Sequence, residues 1–329
     1  MKCSKPMTDG RKRRFNGSTT CEQVLKGLNL NGNTIAVTGT SNGIGKQKTA
    51  RNLALAGAHI ICLNRNKELS EQAMDEMRRF KSTVKMSFIK CDLASLASVR
   101  AAAEQLITKH QKLDVLILNA GLFMPQQSAT ADGLELIFGV NHVGHFHLTT
   151  LLLPILERSA PSRIVVVSSE GHAQSGVSYY CFSSRNICTP KEKQEKGLRL
   201  KRRFVLYCLS KLCNLLFALQ LPRNLKEKDV DVYVLHPGSM IGTNIGSSLG
   251  IWGTIANILA FPFNKSISQG ASTSVYCAVH PETKEISGKY WEWCWDDEKR
   301  LDRAFSGDSE LQEELWSRTE KIIQEIENR

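Results

Sequence analysis

The sequence predicts an α/β fold in which helices cover both faces of a single, doubly wound, parallel β-sheet of the Rossmann type. Two observations lead to this prediction. Short, nearly continuous apolar runs alternate with helical patterns along the chain, as is typical of parallel strands that are buried on both faces. The first of these runs leads directly into a glycine-rich turn and then into a helical pattern.

The first predicted strand, residues 34–38, ends in a glycine-rich turn. Gly39 allows the chain to turn sharply, Gly43 lets bare backbone approach a pyrophosphate, and Gly45 lets the next helix lie close to the strand. The free N–H groups at the start of that helix favour phosphate binding. The alternative is an ordinary glycine-rich turn of another α/β protein. The predicted ligands of a dinucleotide in this loop are Gly39, Ser41, Asn42, Gly43, Ile44 and Gly45.

Six further strands and seven helices complete the predicted fold. The strands are expected at residues 58–63, 84–90, 113–118, 163–167, 230–235 and 290–293. The helices are expected at residues 46–55, 66–80, 96–110, 134–158, 201–221, 268–280 and 309–328. Residues 1–30 are expected to form a basic, flexible extension, and residues 31–329 the cofactor-binding domain. The segment 239–265, which has no charged residue from Ser239 to Asn264, is predicted either to cover a substrate or to pack at the rim of the core.

The end of the second strand indicates which dinucleotide binds. An acidic residue at this place would bind the ribose 2′-hydroxyl of NAD(H), but the chain has Asn64 and Arg65. A guanidinium can bond a 2′-phosphate with two hydrogen bonds. Arg65 therefore favours NADP(H) over NAD(H), and an exposed arginine without a ligand is the alternative.

Other candidate ligands follow the later strands. Ligands of open parallel sheets bind at the carboxyl ends of the strands, and polar or glycine-containing segments stand at those ends. The further predicted cofactor ligands are Asp92, Leu93, Asn119, Ala120, Gly121, Pro237 and Gly238.

Seven motifs occur in a fixed order between residues 34 and about 292. They are TGTSNGIG, CDL, LNAG, the segment around Asn141, VVVSS, YCLSK and HPG. In this order they resemble the short-chain dehydrogenase/reductase family. The resemblance implies an enzyme that oxidises alcohols or reduces carbonyls with a nicotinamide cofactor, and it implies contacts of Tyr207 and Lys211 with that cofactor.

The predicted chemistry couples hydride transfer to proton transfer. Tyr207 and Lys211 lie four residues apart on a predicted helix, so their side chains share one face. Lowering the pKa of a tyrosine from about 10 to near neutral pH requires about 4 kcal/mol of differential stabilisation. Lys211 and the oxidised nicotinamide ring would supply this energy in a partly dry site. Tyr207 would then act as the general acid or base. A helical surface pair is the alternative.

The resemblance also assigns roles to the remaining catalytic candidates. It implies that Ser169 holds the substrate oxygen, that Lys211 also bonds the nicotinamide ribose, and that Asn141 completes a water-linked proton path.

The chain departs from the family pattern at three places. Ser169 and Tyr207 are 38 positions apart (207 minus 169) and flank a basic insertion. Cys208 and Leu209 replace an expected polar pair. The run from Lys46 to Ala50 is one residue longer than the family pattern, and one residue turns a helix by about 100°. We therefore expect this helix to start late or to contain a bulge.

Charge and cysteine content bear on partners and location. The net charge of +11 comes mainly from residues 1–20 and 191–203, which contribute +5 each, so no folded basic face for specific nucleic-acid binding is expected. The ten cysteines have no metal-ligand spacing, so no metal is expected. Scattered cysteines and the lack of a secretory segment predict a cytoplasmic protein. Nuclear entry through residues 11–14 and peripheral membrane attachment are further options.

The substrate and the partners are the last expectations. The resemblance, together with the uncharged segment, implies a small lipophilic alcohol or carbonyl, of a steroid or retinoid type. A competing hypothesis is a regulatory protein that keeps the fold and the cofactor but acts through partner proteins. Whether the chain forms a homodimer stays open.

Overall fold

Seven parallel strands form a single sheet in the described part of the protein. The structure is a computed structural model that describes residues 14–41, 45–123, 125, 128–174, 196–225, 228–238, 267–296 and 298–329. The strand order is β3-β2-β1-β4-β5-β6-β7. The strands are β1 (Thr34–Thr38), β2 (His59–Asn64), β3 (Lys85–Lys90), β4 (Val115–Leu118), β5 (Ser162–Val167), β6 (Val230–Leu235) and β7 (Lys289–Trp291). The predicted doubly wound sheet is confirmed, and the order reverses between β1 and β4.

Every pair of neighbouring strands is parallel, so all carboxyl ends lie at one edge of the sheet. In the central strands alternate residues contribute to two cores. Ala36 of β1 packs in one core with Leu116 of β4, whereas Ile35 and Val37 pack in the other with Ile117. A strand that is covered on both faces has to be apolar at every position, and for this reason the strands read as continuous apolar runs.

Nine helices flank the sheet in the described part of the chain. They are α1 (Cys21–Val24), α2 (Arg51–Leu55), α3 (Lys67–Phe80), α4 (Leu96–Lys109), α5 (Leu136–Arg158), α6 (Lys196–Asn224), α7 (Ile267–Val279), α8 (Arg303–Ser306) and α9 (Ser309–Glu327). Side-chain caps fix several helix starts, because Asn66, Ser95 and Asp308 accept hydrogen bonds from the first turns of α3, α4 and α9.

A π-helical stretch, Gly45–Ala50, precedes α2. It accommodates the extra residue of the run from Lys46 to Ala50, because a π-helical turn absorbs one residue without rotating the helix that follows. Thr49, Ala50 and Leu53 are buried as a result. The expected bulge is thereby confirmed. A second π-helical stretch, Gly139–Val143, lies inside α5 and contains Asn141.

The N-terminal segment differs from its prediction. Residues 14–30 were expected to be flexible but pack on the domain, where the Phe15 ring contacts the Tyr276 ring edge-on at 5.3 Å. A capping box between Thr20 and Gln23 starts α1. Cys21 is buried, and its thiol donates a hydrogen bond to the carbonyl oxygen of Ser268 at 3.2 Å. Residues 1–13 lie outside the described residues.

Two helices are apolar and long enough to span a membrane, namely Leu136–Arg158 and Arg202–Asn224 within α6. The domain buries 83% and 72% of their most apolar windows, respectively. Their apolar faces therefore form the core of the fold. The described residues contain no third helix of this kind.

Candidate active site

The first part of the site lies where β1 and β4 end. Gly39 has a φ angle of +74°, and a Cβ atom at this position would lie 2.9 Å from the Cα atom of Ala120. Only glycine satisfies both constraints. Ser41 is half-buried, and Gly45 begins the π-helical stretch. The predicted ligands Asn42, Gly43 and Ile44 lie outside the described residues.

Thr38, which was not predicted, joins these two strand ends. Its buried hydroxyl accepts hydrogen bonds from the N–H groups of Asn119, at 2.9 Å, and Ala120, at 3.0 Å. The side-chain amide of Asn119 donates in return to the carbonyl oxygen of Thr38, at 3.1 Å. Asn119 and Ala120 thus have a clear structural role at the edge where a cofactor is expected.

His145 connects Thr38 to Asn141. Its Nε2 atom lies 2.9 Å from the Thr38 hydroxyl, and its Nδ1 atom lies 3.0 Å from the carbonyl oxygen of Asn141. Because the Thr38 oxygen already accepts two N–H groups, its own proton faces Nε2, and the ring proton lies on Nδ1. Burial lowers the pKa of His145 to about 3, so the ring is neutral. This contact between α5 and β1 was not predicted from the sequence either.

Asn64, at the end of β2, holds the start of the glycine-rich turn. Its side-chain oxygen accepts from the N–H of Thr40 at 2.7 Å, and its amide donates to the hydroxyls of Thr40 and Ser70 at 2.8 and 2.9 Å. Arg65 follows directly and is exposed. The guanidinium of Arg65 is therefore carried beside the glycine-rich turn, and Asn64 fixes the backbone of that turn at Thr40.

Asp92 and Leu93 follow β3 at the same edge of the sheet. The Asp92 carboxylate accepts a hydrogen bond from the N–H of Ala94 at 3.0 Å, while its own N–H donates to Ser98 at 3.0 Å. Leu93 is buried. These contacts shape the loop, and contact with a cofactor stays a prediction.

The four predicted catalytic residues lie around the ends of β4 and β5. Ser169 and Tyr207 share a side-chain hydrogen bond. The Nζ atom of Lys211 lies 5.8 Å from the centre of the Tyr207 ring. A Cβ atom on Gly121 would lie 3.3 Å from that Nζ atom and 3.7 Å from Oδ1 of Asn141.

Asn141 is held by three hydrogen bonds of its side chain. The amide donates to the carbonyl oxygen of Leu122 and to the hydroxyl of Ser210, both at 3.0 Å, and Oδ1 accepts from the N–H of Leu122 at 2.7 Å. The Ser210 hydroxyl in turn donates to the carbonyl oxygen of Tyr207 at 2.7 Å. Asn141 thus fixes the backbone that follows Gly121 relative to the helix of Tyr207.

The pKa of Tyr207 differs from the expectation that Lys211 would lower it. Burial raises the pKa of Tyr207, and only the hydrogen bond with Ser169 lowers it. Lys211 donates to the carbonyl oxygen of Val167 at 3.0 Å, so its ammonium is directed at the backbone. Burial lowers the pKa of Lys211 itself to about 8. At neutral pH the site therefore holds a protonated tyrosine and a charged lysine.

Aromatic rings surround one side of Tyr207. Phe123 contacts the Tyr207 ring edge-on with 4.8 Å between the ring centres, and Phe204 contacts Phe123 at 6.4 Å. Phe204 is 36% exposed. These two side chains give the reacting hydroxyl an apolar neighbourhood, and neither was predicted as a site residue.

Pro237 and Gly238 follow β6. Gly238 has a φ angle of +107°, and its N–H donates to Nδ1 of His236 at 3.0 Å. The predicted substrate cover, residues 239–265, lies outside the described residues, as does most of the basic insertion after Gln174. Within the described residues no group of three histidine, cysteine, aspartate or glutamate side chains could hold a metal ion.

These residues fit a dinucleotide. Both Gly39 and Gly121 need bare backbone at the edge of the sheet, because a Cβ atom would clash with Ala120 at the first and press on the buried ammonium of Lys211 at the second. The backbone of both turns is therefore open to close approach by a phosphate or ribose. Arg65, Gly39, Gly121 and Gly238 stand at the ends of β2, β1, β4 and β6, so the candidate ligands span the width of the sheet.

Comparison with known proteins places the chain among oxidoreductases. A family model described as short chain dehydrogenase matches residues 33–184. The WW domain-containing oxidoreductase of Homo sapiens is 38% identical over 325 residues, which are 98% of this chain and 75% of that protein. Retinol dehydrogenase 14 of Homo sapiens is 35% identical over 310 residues, which are 89% of this chain and 87% of that protein. No tryptophan precedes Trp252 in this sequence, so residues 1–251 contain no WW module.

Solved structures show the same fold. An uncharacterized protein from Mycobacterium Paratuberculosis superposes with a TM-score of 0.67 and 26% identity, over 90% of this chain and 95% of that chain. A protein from Beutenbergia cavernae that is described as an NAD(P) dependent gluconate 5-dehydrogenase, with bound NADP at low occupancy, superposes with a TM-score of 0.61 and 22% identity, over 80% of this chain and 95% of that chain. The second likeness concerns the fold alone.

Proposed function

Because the chain belongs to the short-chain dehydrogenase family, we propose that it is an NADP(H)-dependent oxidoreductase that interconverts a lipophilic alcohol and its carbonyl compound. The observation that carries the proposal is the hydrogen bond between Ser169 and Tyr207 beside a buried, charged Lys211. Such a group can hold a carbonyl oxygen and give it a proton.

When it is bound, NADP(H) supplies the hydride and, in its oxidised form, a positive charge. Because the pKa of Tyr207 is raised, its hydroxyl stays protonated at neutral pH and can donate to a carbonyl oxygen. Ser169 orients that oxygen by a second hydrogen bond. Once Tyr207 has lost its proton, the positive charge of the oxidised cofactor would favour the phenolate in a site of low dielectric, while Lys211 holds the helix of Tyr207 against β5. The side chain of Asn141 holds the backbone of Leu122 in place relative to the helix of Tyr207.

The lipophilic substrate class is supported by Phe123 and Phe204. Their rings extend the apolar surface from Tyr207 towards solvent, where a hydrophobic substrate would gain about 25 cal/mol for each Å² of apolar area that it buries. The name of the relative retinol dehydrogenase 14 agrees with this class. We therefore expect retinoid-like or steroid-like carbonyls to be better substrates than small polar ones.

Preference for NADP(H) is supported by Arg65. It follows the buried Asn64 at the end of β2, where the adenosine ribose of a dinucleotide would lie. An exposed guanidinium at this place attracts a 2′-phosphate, and no carboxylate stands there to bind a 2′-hydroxyl.

A panel of retinoid, steroid and aliphatic carbonyls with NADPH tests the proposal. We expect turnover of the lipophilic members by the wild type and a fall of at least about a hundredfold in kcat for Tyr207→Phe, with NADPH binding retained. Activity restricted to small polar carbonyls would contradict the substrate class. If the wild type binds NADPH but turns over no carbonyl, a regulatory role through partner proteins becomes the better explanation.

For location and partners we propose a cytoplasmic protein with nuclear entry or reversible attachment to anionic membranes. The support is the basic content of residues 1–20 and 191–203, since each charge near an anionic surface contributes about 1 kcal/mol. No specific nucleic-acid partner is proposed. Membrane attachment that survives a high-salt wash would contradict a peripheral, electrostatic contact.

A further inference from the structure

A buried histidine and a buried glutamate face each other behind the turn at Gly238. His236 and Glu292 follow the paired residues Leu235 and Trp291, at the ends of β6 and β7. The backbone N–H of His236 donates to the carbonyl oxygen of Trp291 at 3.2 Å. Nε2 of His236 lies 3.4 Å from Oε2 of Glu292, and the two side chains are only 1% and 2% exposed.

The hydrogen bond from Gly238 fixes the tautomer of His236. Its N–H donates to Nδ1 at 3.0 Å, so Nδ1 must carry a lone pair, and the ring proton of neutral His236 lies on Nε2. Oε2 of Glu292 lies 3.4 Å from Nε2 and attracts that proton electrostatically, and an ionised carboxylate accepts but cannot donate. The pair therefore holds the one tautomer that can accept from Gly238.

The surroundings hold this pair in place. The Tyr290 ring stacks on His236 at 6.3 Å with 12° between the ring planes. Nε of Arg300 lies 3.9 Å from Oε2 of Glu292, and its NH1 lies 2.9 Å from Oε1 of Glu170. The carboxylate thus has a guanidinium and an imidazole N–H near it, which is what a buried charge requires.

The turn that this pair holds lies beside the reacting groups. The N–H of Ser168 donates to the carbonyl oxygen of Leu235 at 2.7 Å, so the residues after β6 lie next to Ser169. Arg65 follows β2, and β1, β4 and β5 separate β2 from β6. A dinucleotide whose 2′-phosphate binds Arg65 therefore has its nicotinamide end near Gly238.

We propose that His236 and Glu292 form a positioning unit that holds the Pro237–Gly238 turn in the shape that receives the nicotinamide end of the cofactor. Gly238 has a φ angle of +107°, a conformation that its hydrogen bond to His236 stabilises. Without the acceptor at Nδ1, the N–H of Gly238 loses its partner and the turn relaxes. This inference rests on the proposed binding of NADP(H).

Two probes separate positioning from general damage. NADPH contains the nicotinamide, whereas 2′-phosphoadenosine diphosphoribose has the same adenosine half and diphosphate but no nicotinamide. We expect His236→Phe to weaken NADPH binding about fivefold to tenfold, the size of one hydrogen bond, and to leave the truncated probe within about twofold of wild type. The Kd values are measured by fluorescence titration and by isothermal titration calorimetry.

Conservative variants supply the matched controls. His236→Asn places an amide oxygen near the position of Nδ1, so it should recover most of the lost NADPH affinity. Glu292→Gln removes the charge that favours the Nε2 proton, so it should weaken NADPH alone. In the active enzyme the KM for NADPH should rise more than kcat falls. Equal losses for both probes, or an unchanged Kd for NADPH in His236→Phe, would overturn the inference.

A measurement on the wild type keeps the test independent of whether His236→Phe folds. With ¹⁵N-labelled histidine, we expect the His236 signals of the Nε2–H tautomer, assigned by their loss in His236→Asn. A neutral Nδ1–H ring or a charged ring at pH 7 would refute the positioning unit. If the wild type binds neither NADPH nor NADH, the proposed function fails together with this inference. Cofactor binding without any effect of the variants rejects the inference alone.

Discussion

The Nζ atom of Lys211 donates a hydrogen bond to the carbonyl oxygen of Val167 at 3.0 Å. Val167 is the last residue of β5 and stands two positions before Ser169, so this bond ties the helix of Tyr207 to the strand that carries Ser169. Burial of this side chain also lowers the pKa of Lys211 to about 8. The contact between the helix of Tyr207 and β5 therefore depends on the protonation of Lys211.

This coupling predicts how activity depends on pH. As the pH rises through about 8, Lys211 loses its charge, so its hydrogen bond to the carbonyl oxygen of Val167 weakens and kcat should decrease. Lys211→Arg keeps its charge above pH 12, and any residual activity should not decline near pH 8. The profile of kcat against pH checks this. An alkaline decline that is the same in Lys211→Arg would assign it to another group.

Removal of the Thr38 hydroxyl should destabilise the domain. Thr38→Val leaves the N–H groups of Asn119 and Ala120 without their acceptor, and each unpaired buried group costs about 1–3 kcal/mol. We expect a loss of roughly 2–4 kcal/mol in the free energy of unfolding, measured with urea. Thr38→Ser keeps the hydroxyl and should lose much less, and equal losses in both variants would contradict the role of the hydrogen bonds.

Two buried histidines should make the protein sensitive to acid. Burial lowers the pKa of His142 to about 4 and that of His145 to about 3, below the ordinary value of about 6.5. Below pH 6.5 the unfolded chain therefore takes up protons that the folded chain does not, and stability decreases as the pH falls. Each ring should lower the free energy of unfolding by about 2 kcal/mol between pH 7 and pH 5.

The matched variant is His142→Gln, whose amide can still donate to Thr319, the partner of His142 Nε2 at 3.1 Å. The acid-induced loss should shrink by about 2 kcal/mol in this variant. His110→Gln changes a half-buried ring and should shrink it less. Identical pH profiles for the wild type and His142→Gln would show that the pKa of His142 is the same in the folded and unfolded states, which would contradict the lowered pKa.

Arg65→Asp should change cofactor preference. It replaces an attractive charge beside the expected 2′-phosphate by a repulsive one, so we expect the Kd for NADPH to rise more than about tenfold and that for NADH to change little. Arg79→Asp makes the same charge change at the far end of α3 and should affect neither. Equal losses of affinity for both cofactors would remove Arg65 from this role.

Phe123→Ala should reduce kcat/KM for a retinoid-like aldehyde about tenfold or more and leave a short aliphatic aldehyde nearly unchanged, because only the larger substrate reaches the ring. Phe80→Ala is the matched control, since Phe80 is 66% exposed and lies on α3. A parallel loss for both aldehydes would indicate that Phe123 supports Tyr207 rather than the substrate.

The strands could be predicted to within two residues, because a strand such as β1 that is buried on both faces has to be apolar at every position. The positions of Gly39 and Tyr207 followed from local motifs. The contacts of Thr38 with His145 and of His236 with Glu292 could not be predicted, since they join side chains that are 107 and 56 positions apart. No local periodicity records which distant polar group will complete a buried hydrogen bond.

The packing of the N-terminal segment has a consequence for the order in which the protein assembles. Phe15 and Cys21 bond to Trp295 and Ser268, which are 280 and 247 positions away. Contacts across such separations form slowly, because a long chain must first be closed into a loop. During synthesis residues 15–21 therefore emerge from the ribosome well before the residues that cover them, and the interval in which they stay uncovered is set by the speed of translation.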